Sequence, residues 1–238
     1  MPDALSASED KRLSALKLDA LAEFAAGAGH EINNPVGTIV GHVQQLLAGE
    51  TDPDRRHALA TIGAQAYRIR DMIGDIMLFA RPPQPRREQL DLTAVMNDVI
   101  SQFRAEALSA RIEVLVDAAG PVPVFADRTH VQIVVSGLLR NSFEALPAGG
   151  TVNVQACSIG TPKPEWGLLS IQDDGPGLSV ESREHLFDPF FSGRQAGRGL
   201  GFGLSKVWRI VTLHGGRIDV ETPATGGVSF AIRWPATG

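Results

Sequence analysis

A chain of 238 residues, 43% of them apolar and 21% charged, has the composition of a globular protein of one or two domains. Its formal net charge of −5 excludes a general basic field for nucleic acid or an anionic bilayer, so anion binding has to come from a local site. A single cysteine, Cys157, excludes a disulfide framework and any cysteine-based zinc cluster. No apolar run approaches the roughly 18 residues of a membrane span, and Asp3, Glu9 and Asp10 make the start acidic where a secretion signal is basic. The chain reads as soluble and cytoplasmic, either alone or as the cytoplasmic end of something longer.

Two helices are expected first. Ser6-Ala7-Ser8-Glu9 has the form of a capping box. Apolar residues from Leu18 through Ala25 lead into a stronger series at Ile32, Val36, Ile39, Val43 and Leu46. Gly49-Glu50-Thr51-Asp52-Pro53 reads as a tight connection, with Pro53 suited to the first turn of the next helix. Leu59, Ile62, Ala66, Ile69, Ile73, Ile76 and Ala80 then recur at steps of three and four, a heptad seam. An isolated antiparallel hairpin leaves much of such a seam in water. Pairing with a second copy into a dimeric four-helix bundle is therefore expected. The competing arrangement is a monomer whose seams dock onto its own second domain.

Arg81-Pro82-Pro83-Gln84-Pro85 forbids continued helix and forms a stiff connector. Beyond it, Leu92–Ser109 reads as a helix, and Ile112–Val116 and Val122–Ala126 as strands. Asp127 can cap a helix reaching Ala145. Val152–Ser158 and Leu168–Gln172 read as strands joined by a Gly/Pro loop. A helix over Leu204–Leu213 and strands at Arg217–Glu221 and Val228–Trp234 complete the chain. Interleaved strands and helices, several of the strands in antiparallel hairpins, predict an α/β two-layer sandwich.

Four places carry candidate chemistry. His30, in Gly27-Ala28-Gly29-His30-Glu31-Ile32-Asn33-Asn34-Pro35, sits at the edge of the helical seam among small residues. Glu31 is adjacent and Asn34 lies one turn on, while Pro35 should bend the helix. A carboxylate beside an imidazole can hold its tautomer and take up proton charge as the ring attacks an electrophile. On its own His30 also reads as a solvated surface histidine. Asn141 falls on the apolar stripe Val134-Leu138-Ala145, where its carbonyl could ligate Mg²⁺ with Glu144 nearby, or bridge a neighbouring loop. Ile171-Gln172-Asp173-Asp174-Gly175-Pro176-Gly177-Leu178 ends a strand in a carboxylate followed by glycines. An Asp there could accept from an exocyclic amine such as that of adenine, or form an acidic turn. Gly197-Arg198-Gly199-Leu200-Gly201-Phe202-Gly203-Leu204-Ser205 leads into a helix N-terminus, a recurrent phosphate cradle. It has neither the dinucleotide spacing nor a P-loop lysine.

Taken in order, these segments resemble the transmitter core of two-component sensor histidine kinases. His30–Pro35 is similar to the H-box of the dimerisation and phosphoacceptor domain, and Leu138–Ala145 to the N-box. Asp173–Gly177 is similar to the first glycine box, Leu186-Phe187-Asp188-Pro189-Phe190-Phe191 to the F-box, and Gly199–Ser205 to the second glycine box. His214-Gly215-Gly216 matches the usual tail of the following helix. The resemblance spans roughly residues 10–235. A short lid, Ser192–Arg198, and Glu144-Ala145 fit the nitrogen-regulator-like subgroup.

The resemblance implies a role for each matched residue. His30 would attack the γ-phosphorus of ATP, Glu31 would orient the ring and relay its proton, and Asn34 would position water for the reverse phosphatase reaction. Asn141 would hold Mg²⁺, Asp173 would read adenine, and Gly175 and Gly177 would shape that pocket. Gly199, Gly201 and Gly203, with Leu200 between them, would flank the triphosphate, and Arg194 would screen its γ-phosphate charge. Three positions depart from the pattern: Gly137 stands where an N-box asparagine is usual, Leu200 replaces a threonine and Phe202 a leucine. An asparagine at 137 would give the metal's hydration shell polar support that Glu144 or water can supply, so autophosphorylation is expected to survive.

The resulting expectation is a hairpin dimerisation and phosphoacceptor domain over 8–81, a linker over 82–87 and an α/β ATP-binding domain over 88–238. It would act as a homodimeric protein-histidine kinase using ATP and Mg²⁺, with a response-regulator receiver domain as partner. It would act as that partner's phosphatase as well, with an upstream sensor domain or protein feeding it, and with no nucleic acid and no membrane segment. The alternatives are an ATP-binding pseudokinase, phosphatase or scaffold of the same family, and a gyrase- or chaperone-like ATPase. The last would activate water with a carboxylate at the position of Gly137 and would lack the His30 hairpin.

Overall fold

The computed structural model describes residues 23, 27, 29, 31–80, 82–147, 149–191, 201–224 and 226–238. The capping box at 6–9, most of the 18–25 seam, His30, Arg194, Gly199 and Leu200 lie outside the described residues. The chain divides into two compact units, Met1–Pro83 and Gln84–Gly238.

In the first unit, helix α1 (31–49) and helix α2 (Pro53–Ala80) are joined at residues 50–52. The junction follows from its side chains. Asp52 accepts the backbone N–H groups of Asp54 and Arg55, each at 3.0 Å, and so caps α2. Pro53 occupies the first helical position, where a missing N–H costs nothing. Glu50 accepts the amides of Thr51 and Asp52 and pairs with Arg55 at 3.2 Å. Helix α1 continues through Pro35. A Cβ on Gly63 would stand 3.1 Å from Val43 Cγ1, so a glycine is what lets the helices approach there.

The heptad seam divides in two. Val36, Val43, Ala66 and Ala80 are buried, whereas Ile39, Leu46, Ile62 and Ile69 are 43%, 58%, 50% and 43% exposed. Two helices alone leave this half of the apolar stripe in water.

The second unit begins with strand β1 (Glu88–Asp91), which pairs antiparallel with β3 (Pro123–Ala126). Helix α3 (Leu92–Ala110) is capped by Asp91, whose carboxylate accepts from Thr93 N and Val122 N. Strand β2 (Ile112–Ala118), helix α4 (Arg128–Ala145), the hairpin β4 (Gly150–Ile159) and β5 (Trp166–Asp173), the short helix α5 (Val180–Glu184), helix α6 (Gly203–Leu213), β6 (Arg217–Glu221) and β7 (Ser229–Pro235) follow. The five-stranded sheet runs β2-β4-β5-β7-β6. Among the described residues only β2 and β4 pair in parallel.

Strand alternation sorts residues between the two faces. Val152 and Val154 of β4, Leu169 and Ile171 of β5, and Phe230, Ile232 and Trp234 of β7 are buried on the face that α4 covers. Val134, Val135 and Leu138 of α4 and Val207, Ile210 and Val211 of α6 are also buried. The expected two-layer sandwich is observed. Strand β1, helix α5 and the parallel β2–β4 pair were not legible from local pattern.

Candidate functional site

Asp173 ends the inward series Leu169, Ile171, Asp173 of β5, so strand alternation turns its carboxylate toward α4 rather than toward water. It is 1% exposed. Its Oδ1 accepts from Gly175 N at 3.0 Å and Val228 N at 3.3 Å, and its Oδ2 accepts from Ser142 Oγ at 3.2 Å. Burial pushes the Asp173 carboxyl above its ordinary range, and the three donors oppose that rise. Asp174 is exposed and accepts from Thr151 N at 2.8 Å, so of the adjacent pair only Asp173 faces inward.

Glycines crowd this carboxylate. A Cβ on Gly175 would stand 2.9 Å from Asp173 Oδ1, and one on Gly227 would collide with the Asp173 carbonyl. Gly177 and Gly227 have φ of 79°, a conformation favouring glycine. The result is a turn with little side-chain bulk around one buried anion, suited to a flat ligand that donates a hydrogen bond.

Asn141 is half-buried at the edge of the α4 stripe. The expectation that Asn141 lies within the apolar stripe is corrected accordingly: at this end of α4 the buried polar side chain is its neighbour Ser142. Sequence reasoning missed it, although Val131, Val135, Leu138 and Ser142 keep the helical rhythm. Asn141 still presents an amide oxygen, a hard donor of the kind Mg²⁺ takes. Among the described residues no group of three His, Cys, Asp or Glu could hold a metal, so a divalent ion here would need oxygens from its ligand and from water. Glu144 is exposed.

Gly137 has a packing role that the sequence did not disclose. Its missing Cβ would lie 3.1 Å from Cγ2 of the fully buried Val207, so it marks the crossing of α4 and α6. At the start of α6, Gly201 has φ 74° and is pressed against the backbone of Phe190 and Phe191. The Phe190 and Phe202 rings pack edge-on with centroids 4.8 Å apart. Gly203 opens the helix with open space around it. Elsewhere, His130 and His214 are buried edge-to-face at 5.3 Å. His214 accepts from Asp127 N at 3.1 Å and donates to Ile210 O at 2.9 Å.

In the first unit Glu31 and Asn34 are exposed on α1, and Gly29 is buried against Met77.

An α-helical hairpin joined to a two-layer sandwich with a buried carboxylate beside a glycine turn defines a class of nucleotide-site protein, and the comparisons agree. Residues 20–85 match the His Kinase A (phospho-acceptor) domain. Residues 126–238 match the histidine kinase-, DNA gyrase B- and HSP90-like ATPase family. The signal transduction histidine-protein kinase AtoS of Escherichia coli is 28% identical over 96% of this chain, which spans 37% of AtoS. In fold, the chain is similar to full-length ShkA in complex with AMPPNP (TM-score 0.77, 22% identity, 91% of this chain and 46% of that one). It is also similar to the histidine kinase ThkA in complex with the response regulator TrrA (TM-score 0.68, 24% identity, 98% of this chain and 67% of that one). The chain belongs to the two-component histidine kinases and comprises their transmitter core.

Proposed function

We propose that this chain autophosphorylates His30 with ATP and passes the phosphoryl group to an aspartate on a response-regulator receiver domain. The observation that carries the reading is the buried carboxylate of Asp173, held by two backbone amides and a hydroxyl beside a glycine turn. A carboxylate so placed can accept from the exocyclic amine of adenine and reject a carbonyl there. Asn141 would take the Mg²⁺, which supplies neutralisation of phosphate charge. Gly199, Leu200, Gly201 and Gly203 would line the triphosphate at the α6 N-terminus, with Arg194 screening the γ-phosphate. A ring nitrogen of His30 forms the new bond to γ-phosphorus as the bond to the bridging oxygen breaks and ADP leaves. Glu31 takes the ring proton. Asn34, one turn beyond His30, would orient water for removing the phosphoryl group from the partner.

The half-covered stripe at Ile39, Leu46, Ile62 and Ile69 supports a homodimer, two hairpins closing one four-helix bundle. The domains are assigned as 8–81, 82–87 and 88–238. No described helix is long and apolar enough to cross a membrane, and a cytoplasmic site of action, with a sensor domain or protein upstream, fits the assignment. The test is incubation with γ-labelled ATP and Mg²⁺ followed by addition of candidate receiver domains. Label is expected to appear on this chain first and then move to one receiver. No label on the chain with ATP bound would refute the kinase reading.

A further inference from the structure

We propose that Ser142 is a positioning residue for adenine recognition, its hydroxyl fixing the Asp173 carboxylate in the orientation that reads the base. The inference rests on the reading of Asp173 as the adenine contact. A serine inside a helix commonly turns its single donor back to the carbonyl one turn earlier. Ser142 instead reaches across to β5 and donates to Asp173 Oδ2 at 3.2 Å, with both residues buried.

The geometry gives that bond a specific consequence. Gly175 N and Val228 N both engage Oδ1, so they anchor one oxygen and leave the carboxylate free to pivot about it. Ser142 is the donor on the other oxygen. With Oδ1 and Oδ2 both held, the carboxylate plane is set before ligand arrives, and Oδ2 keeps a second lone pair for an incoming amine. Without the hydroxyl, part of the ligand's binding energy would go into ordering the carboxylate. The loss should fall on ligands that donate from the 6-position of the purine and not on those lacking that amine.

The experiment measures Kd for ATP and for purine riboside triphosphate, which has hydrogen in place of the 6-amine, with Mg²⁺. The proteins are the full chain and its Ser142→Ala, Ser142→Thr and Asp173→Asn variants. Ser142→Ala is expected to weaken ATP by about three- to tenfold, to leave the amine-free nucleotide unchanged, and to raise KM for ATP with kcat unaltered. Ser142→Thr, which keeps the hydroxyl, should restore ATP affinity. Equal weakening of both nucleotides by Ser142→Ala, or no weakening of either, would overturn the proposal. If Asp173→Asn weakens ATP selectively and Ser142→Ala does not, the role of Ser142 alone falls. If Asp173→Asn leaves ATP affinity intact, the adenine reading falls and takes this proposal with it.

Discussion

Gly137 on α4 and Val207 on α6 meet so closely that a Cβ on the glycine would stand 3.1 Å from Val207 Cγ2. A position that reads in the sequence as a lost polar group is, in the fold, where two helices cross. Val207 is fully buried and cannot swing into solvent, so α6 itself has to yield to any larger side chain. Helix α6 begins at Gly203, where the glycine-rich segment ends, which ties this packing contact to the proposed phosphate end of the site.

Gly137→Asn is therefore expected to lower the stability of the ATP-binding unit by about 1–3 kcal/mol through overpacking, read as a fall in thermal midpoint. Gly137→Ala should be nearly neutral, because the gain of about 1 kcal/mol in helix propensity offsets a smaller clash. Adding Val207→Ala to Gly137→Asn should recover part of the loss, a coupling of at least about 0.5 kcal/mol between touching residues. Strict additivity would mean that the helices separate freely at this crossing. Autophosphorylation by Gly137→Asn should stay within about tenfold of the natural chain, about 1.4 kcal/mol.

Much of the fold was legible because its elements announce themselves locally. Asp127 caps α4 and accepts from His130 N, and Pro53 opens α2, where the sequence placed both. Strand β1 was not legible: its four residues gain their identity only by pairing with β3, more than thirty residues away. The parallel β2–β4 pairing is likewise set by packing, since no local signal distinguishes it from an antiparallel neighbour. At the site, Asp173 and its glycines were readable as a motif. Ser142 and Gly137 were not, because their importance lies in what a different element places against them.

Asp173→Asn should weaken ATP binding by one to two orders of magnitude, since a hydrogen bond to a charged group is worth about 1.5–3 kcal/mol. Discrimination against guanine nucleotides should fall with it. Titration calorimetry with ATP and GTP measures both. Unchanged affinity and selectivity would reduce the acidic segment to a turn.

The buried histidines predict a pH dependence of stability. Burial holds His130 and His214 below the ordinary histidine value, with Asp127 opposing the effect at both. A group whose folded pKa is depressed takes up protons first in the unfolded chain. The contribution of these two histidines to native stability should therefore fall as pH drops below about 6.5, the unperturbed value, until the folded imidazoles titrate. Asp173, shifted upward by burial, and His185, shifted upward by its hydrogen bond to Asp188, have the opposite sign, so the comparison has to isolate one buried histidine. His130 Nδ1 has no partner among the described residues, so His130→Leu should fold and flatten the decline. Chemical denaturation at pH 7.5 and 5.5 checks this, and an unaltered slope would contradict it.

The exposed half of the hairpin stripe predicts self-association. Replacing Ile39 and Ile62 together by lysine puts two charges where apolar side chains would otherwise be covered, each worth about 1.5–3 kcal/mol. Dimer affinity should drop at least about 100-fold in sedimentation equilibrium, with helix content retained. A monomeric natural chain would instead favour docking of these seams onto the second unit.

The most direct test of the kinase assignment is the chemistry of the phosphorylated residue. Incubated with γ-labelled ATP and Mg²⁺, the natural chain should acquire label that is lost in acid and retained in base, as a phosphorus–nitrogen bond on imidazole requires. The His30→Gln variant should acquire none while binding ATP and dimerising as before. Acid-stable label, or label undiminished in His30→Gln, would place the phosphoryl group elsewhere and contradict the account.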